Sequence, residues 1–217
     1  MIANAVHFDA AWKQAFDRIG EATFNRLDGS TEPVEMMSRR GPTPFGEGDG
    51  YKAAELIYRG GASSMLLIVP DEGEYERVEA RMGHGLLAEA VGALRDEGDV
   101  ALELPPFEFR SELELEEPLE ALGMVDAFDP EQADFTAINP EAREHGLHVS
   151  DVFHDAFVRV DEEGTEAAAA TGAVIGIVSA PRHSLTVDHP FLFAIRDRES
   201  GAVLFLGRVL DPGGQPS

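Results

Sequence analysis

The sequence predicts an α+β fold. Strand-like and helix-like segments are interspersed along it, without the strict strand–helix–strand rhythm of a doubly wound sheet. Two pairs of apolar runs are each joined by a short turn-forming stretch, which is the pattern of a β-hairpin. No segment repeats another. A length of 217 residues fits one sizeable domain, 1–217, or part of a larger one.

The elements follow in order. Residues 2–8 (IANAVHF) read as a buried strand. Residues 34–40 lead into a Gly/Pro-rich stretch, 41–50, which composition assigns to a loop. The apolar runs 54–58 and 64–69 are joined by Arg59-Gly60-Gly61-Ala62, the first hairpin. In 74–95, Val78, Met82, Leu86, Leu87, Val91 and Leu94 recur at helical spacing, which predicts one helix. Residues 100–109 alternate as a strand, and 118–122 form a short helix stopped by Gly123. Residues 147–160 have strand content. The runs 192–197 and 202–210 flank Arg198-Glu199-Ser200-Gly201, the second hairpin, and the tail 213–217 is expected to fray.

Composition excludes several classes of function. There is no cysteine, hence no disulfide and no thiolate metal site. No window reaches the length of an apolar membrane span, and no basic start leads into an apolar leader-like run. Forty-one acidic residues face 17 basic ones, a formal charge of −24, and only Lys13 and Lys52 are lysines. Such a chain is repelled by nucleic acid and by anionic membrane surfaces, so neither is an expected partner. The acidity reads either as plain solvation or as adaptation to molar salt, where screening shortens to roughly 3 Å. Low lysine with retained arginine favours the second.

One stretch stands apart. Charged residues make up 27% of the chain, yet the fifteen residues 167–181 contain none. With period two, one face is Thr165, Ala167, Ala169, Thr171, Ala173, Ile175 and Ile177, and the other is Glu166, Ala168, Ala170, Gly172, Val174 and Gly176. Such a strand could slide between two others, because its leading end carries nothing bulky. Local propensity favours a competing reading, a helix capped by Thr165 with four alanines behind it.

Gly164-Thr165-Glu166-Ala167-Ala168-Ala169-Ala170-Thr171-Gly172 resembles the hinge of inhibitory serpins. Leu185-Thr186-Val187-Asp188-His189-Pro190-Phe191-Leu192-Phe193-Ala194-Ile195 resembles that family's C-terminal signature, and Asn4–Phe8 with Trp12, Val34-Glu35-Met36-Met37 and Pro70-Asp71-Glu72-Gly73 agree in order. The resemblance covers essentially the whole chain. It implies a serpin fold lacking its N-terminal part, with a reactive-centre loop over about 162–184 and a scissile bond between Val178 and Ser179. It implies a hinge formed by Glu162, Gly164, Thr165, Glu166 and Ala167 to Ala170. Asn4 and His154 would pair where the main sheet parts, with Trp12 at the top of that sheet. Glu162 matches a glutamate that commonly pairs with a lysine, and Pro106 stands in the lysine's place.

The function so implied is serine protease inhibition by loop cleavage and insertion. Val178 suits an elastase-like or subtilisin-like target, and the family lean is extracellular. Two other readings stay open: a non-inhibitory binding or chaperone-like serpin, and an inactive fragment that pairs through an open sheet edge. Bulky or charged hinge residues would mark the non-inhibitory kind, and Thr165 with Ala167 to Ala170 speak against it. No cofactor or metal is expected. His145 and His148 lack a third ligand at a recognised spacing, and Gly61-Ala62-Ser63-Ser64 is not a nucleophile elbow. The acidic run 112–120 reads as a solvated face. The chain is therefore not expected to be an enzyme.

Overall fold

A computed structural model describes residues 1–165 and 180–213. The first strands are β1 (Ile2–His7), β2 (Ala10–Ala11), β3 (Asp17–Asn25), β4 (Thr31–Gly48), β5 (Tyr51–Ile57) and β6 (Ser63–Pro70). Helices α1 (Tyr75–Glu79) and α2 (Leu86–Ala93) follow, then β7 (Arg95–Leu104), β8 (Phe107–Glu114) and helix α3 (Glu116–Ala121). The chain continues with β9 (Val152–Val160), β10 (Gly164–Thr165), β11 (His183–Thr186), β12 (Phe191–Asp197) and β13 (Val203–Val209). Two compact units result, one including Met1–Phe8 and Phe109–Val158, the other Asp9–Glu108 and the described residues from Arg159 on.

In the first unit β1 lies parallel to β9, Asn4 opposite His154, in a three-stranded sheet of order β1-β9-β8. The expected strand at 2–8 is present, but it is not buried: Ile2 is 48% exposed. It is an edge strand, and the first half of β9 beside it is itself only half-covered. Helix α3 ends where expected, with Gly123 at φ +101° turning the chain out of the helix.

The second unit holds an eight-stranded sheet in which β11, β7, β4, β5, β6, β12 and β13 are neighbours in that order and β3 pairs with β4. Both predicted hairpins form, β5 with β6 and β12 with β13. Strands β6 and β12 also pair, so Leu66, Leu67, Phe193, Ala194 and Ile195 sit at the sheet's centre, at most 1% exposed.

The stretch 41–50 departs from expectation: β4 runs through it as far as Gly48. Prolines cannot donate to a ladder, and here they fall where the β4–β7 register shifts, between Pro42 and Pro44. The glycines make room. A Cβ on Gly46 would lie 2.6 Å from the Ala93 carbonyl oxygen at the end of α2, and the Tyr51 ring covers Gly48. Residues 45–48 then pair with β5.

The single helix expected over 74–95 is broken. A 3-10 turn at Met82–His84 separates α1 from α2, and Gly85 at φ +92° starts α2 in a new direction. The apolar spacing was a true signal of burial, since Tyr75, Val78, Leu86 and Ala90 pack with Tyr51, Ala53, Leu66, Ile68 and Leu192. Strand β7 begins five residues before the predicted 100, and Pro105-Pro106 divide it from β8.

Candidate functional site

The site is built around the turn that ends β9. Asp161 organises it: its Oδ1 accepts from the backbone amides of Glu163 at 2.9 Å and Gly164 at 3.1 Å. Its own amide donates to the Gly164 carbonyl at 2.9 Å. An aspartate that satisfies two successive amides in this way holds a tight reversal without help from a ladder. The chain then enters β10, antiparallel to β2, with Gly164 opposite Ala11 and Thr165 opposite Ala10. Gly164 is required by space, since a Cβ there would lie 2.3 Å from the Ala10 carbonyl oxygen.

Trp12 is stitched to this turn twice. Its amide donates to the Glu163 carbonyl at 2.8 Å, and its indole Nε1 donates to the Asp161 carbonyl at 3.0 Å. The indole stacks on Tyr58, centroids 4.5 Å apart and planes 11° from parallel, while Phe16 meets it edge-on. The Tyr58 hydroxyl and Thr165 Oγ1 are 2.8 Å apart, with Thr165 fully buried. Burial pushes the Tyr58 hydroxyl up from its ordinary pKa, so it stays protonated and available to donate.

Glu162 faces outward and meets Arg18 of β3, Oε1 to Nε 2.7 Å. That hydrogen bond, more than the charge itself, holds the Glu162 carboxyl below the usual glutamate range. The cation therefore comes from Arg18 and not from the position of Pro106. Neither Arg18 nor Tyr58 was singled out from the sequence. Arg18 lies 144 residues from Glu162, and no local spacing announces a contact of that span.

Asn4 and His154 come together in the first unit, Nδ2 to Nδ1 3.3 Å across the parallel register. Trp12 belongs to the second unit. The remaining hinge residues, Glu166 and Ala167 to Ala170, and the bond between Val178 and Ser179 lie outside the described residues. On the far side, the Arg182 amide donates to the Asp99 carbonyl at 2.8 Å, and β11 runs parallel to β7 with Leu185 opposite Leu102. Residues on both sides of 166–179 are thus fixed to strands of the same unit.

The serpin (serine protease inhibitor) family model matches residues 1–212. The chain belongs to the serpin family. An uncharacterized serpin-like protein of Thermococcus kodakarensis is 39% identical over 98% of this chain and 50% of its own length. Plasminogen activator inhibitor 1 of Neovison vison is 34% identical over 98% of this chain and 54% of its own. Among solved structures, the thermophilic serpin tengpin in its native state superposes with a TM-score of 0.80 at 29% identity, covering 96% of this chain and 55% of that one. The chain spans about half the length of the curated serpins it matches. The serpin fold, with several sheets and few helices, is the α+β fold the sequence predicts, and the family includes inhibitors of serine proteases.

Proposed function

We propose that this chain carries the bait and hinge of an inhibitory serpin, acting on a serine protease of elastase-like or subtilisin-like specificity. The observation that carries the reading is Thr165. Its small side chain is buried in β10, and past Glu166 the sequence runs through residues 167–181 without a charge. A segment that must become an inner strand of a sheet needs that composition, because one unpaired buried charge would cost several kcal/mol.

In this proposal the protease serine attacks the Val178 carbonyl carbon. The Val178–Ser179 peptide bond breaks, and the new amine of Ser179 leaves with the proton relayed by the protease histidine. The Val178 ester to the protease remains. The freed loop then adds as a strand to the main sheet, starting at Thr165 and carrying the protease with it. Backbone hydrogen bonds do little more than offset the ordering of the loop, so the drive must come from burying its inner face and relieving strain in the receiving sheet. That requires the rest of the serpin fold. The 217-residue chain alone is expected to be cut without trapping.

The test is to incubate a protein carrying this chain and the other half of the fold with elastase or subtilisin. A complex that survives a denaturing gel, with a released peptide beginning at Ser179 by mass spectrometry, is the expected result. Trapping through cleavage after Arg182 would sink the assignment, and a protein that is only cut would be non-inhibitory.

A further inference from the structure

Arg39, on β4, is 6% exposed and has no carboxylate partner among the described residues. Its Nη1 donates to the Gln14 carbonyl at 3.2 Å and its Nη2 to Thr43 Oγ1 at 3.1 Å. The Phe16 ring lies 5.2 Å from its central carbon, and its Nε has no partner. Every one of these contacts is neutral. The consequence is visible in its acidity: burial without a counter-charge draws the guanidinium pKa down to about 10.

Lack of carboxylates is no explanation in a chain with 41 acidic and 17 basic residues. Arg18, Arg26, Arg40, Arg77, Arg110 and Arg196 each hold one. Arg39 instead borders a cavity of about 270 Å³. Lys13, one of two lysines in the protein, stands on the same wall and also has no ion pair among the described residues. Glu55 lines it too, but that carboxylate is already taken by the Ser64 hydroxyl at 2.8 Å, Arg196 at 2.6 Å and Arg198 at 3.4 Å. The wall is preformed. The Lys13 amide donates to the Ile57 carbonyl at 2.9 Å, and the Gln14 side-chain amide donates to the Arg40 carbonyl at 2.7 Å. Pro42 and Pro44 supply a rigid apolar side.

We propose that this cavity binds a small oxyanion, a carboxylate or a phosphate, between the Arg39 guanidinium and the Lys13 ammonium. A buried cation without a counter-charge is costly, and a planar guanidinium matches an oxyanion in geometry as well as charge. A concave, largely apolar pocket with a few convergent polar groups is the usual form of a small-ligand site. Lys13 follows Trp12 in the chain, and Phe16 touches both Arg39 and Trp12, so occupancy is coupled to the environment of the only tryptophan.

The experiment titrates the 217-residue chain with sodium phosphate and, separately, sodium acetate at constant ionic strength set by sodium chloride, following heat and Trp12 fluorescence. Saturable millimolar binding of at least one oxyanion is expected, and the arm that saturates identifies the source. Arg39→Met keeps the length and removes the charge, and it should weaken binding by about tenfold or more. Lys13→Gln, on an exposed side chain, should weaken it several-fold and carries the test alone if the Arg39 variant does not fold. No saturation by either oxyanion overturns the site. So does chloride binding equally well, or unchanged affinity in Lys13→Gln.

Discussion

Tyr58 and Thr165, 107 residues apart, share a buried hydrogen bond of 2.8 Å in the second unit. The Tyr58 ring stacks on the Trp12 indole, and Thr165 stands two residues before the charge-free stretch 167–181. The contact therefore joins the β5–β6 hairpin to the base of the candidate loop.

Removing one partner leaves the other buried and unsatisfied. Tyr58→Phe and Thr165→Val should each destabilise the folded chain by about 1–3 kcal/mol. The double variant leaves no orphaned hydroxyl, so it should lose clearly less than the sum of the two. Urea denaturation of the four proteins closes the cycle, and strictly additive losses would show that the hydrogen bond contributes nothing specific.

Gly164→Ala should destabilise by about 1–3 kcal/mol, because the added methyl overpacks against β2. The nearest atom is the Ala10 carbonyl oxygen, 2.3 Å away, which is backbone and cannot rotate aside. A melting temperature unchanged from the parent would contradict that close approach.

The Arg18–Glu162 pair sets a pH dependence whose sign follows from the carboxyl shift. Glu162 titrates below its unfolded value, about 4.3. Its contribution is present above that pH and is lost as pH falls through the lower folded value. Arg18 is exposed, so the expected readout is the titration itself. In Arg18→Ala the Glu162 midpoint should rise, followed by carboxyl NMR. An unmoved midpoint would assign the shift to the backbone and not to Arg18.

The sequence disclosed what depends on periodicity and on turn chemistry. Both hairpins, the short helix before Gly123 and the strand after residue 147 were legible because their signals are local. Where it misled, the same residues served a tertiary purpose. Gly46 and Gly48 look like loop formers, but they make room for α2 and for Tyr51. The spacing from Val78 to Leu94 marks a buried face, while Gly83 and Gly85 break the helix beneath it. Asn4 with His154 in the first unit, and Trp12 and Glu162 in the second, were singled out through family resemblance. Tyr58 and Arg18 were not, because their roles exist only once distant segments meet.

Salt should stabilise this protein. With a formal charge of −24, the folded chain repels itself at low ionic strength, and screening relieves that repulsion. The Debye length falls from about 10 Å at 0.1 M to under about 3 Å at 3 M. Thermal melts in KCl at those two concentrations should show a rising midpoint. A flat or falling one would leave the acidity as simple solvation.

A loop of this kind would enter a sheet from its hinge end, with Thr165 first. Thr165 is buried in β10. In an inserted strand, side-chain alternation would put Ala167 and Ala169 on the face of Thr165 and Glu166 on the other. Thr165→Arg would put a charge without a partner into that buried position, at a cost of several kcal/mol. In a protein carrying both halves of the fold, insertion would slow while deacylation of the trapped protease would not. The variant should then behave as a substrate, consuming several molecules for each protease inactivated. Its bait bond is untouched, so cleavage should still fall after Val178. Glu166→Arg, on the opposite face, should change the stoichiometry far less. Because the native contact with Tyr58 is also lost in Thr165→Arg, Thr165→Val serves as the control: it breaks the same hydrogen bond without adding charge. Substrate behaviour in the arginine variant alone assigns the effect to insertion. Equal effects at 165 and 166 would refute the alternation, and the insertion route would fall with it.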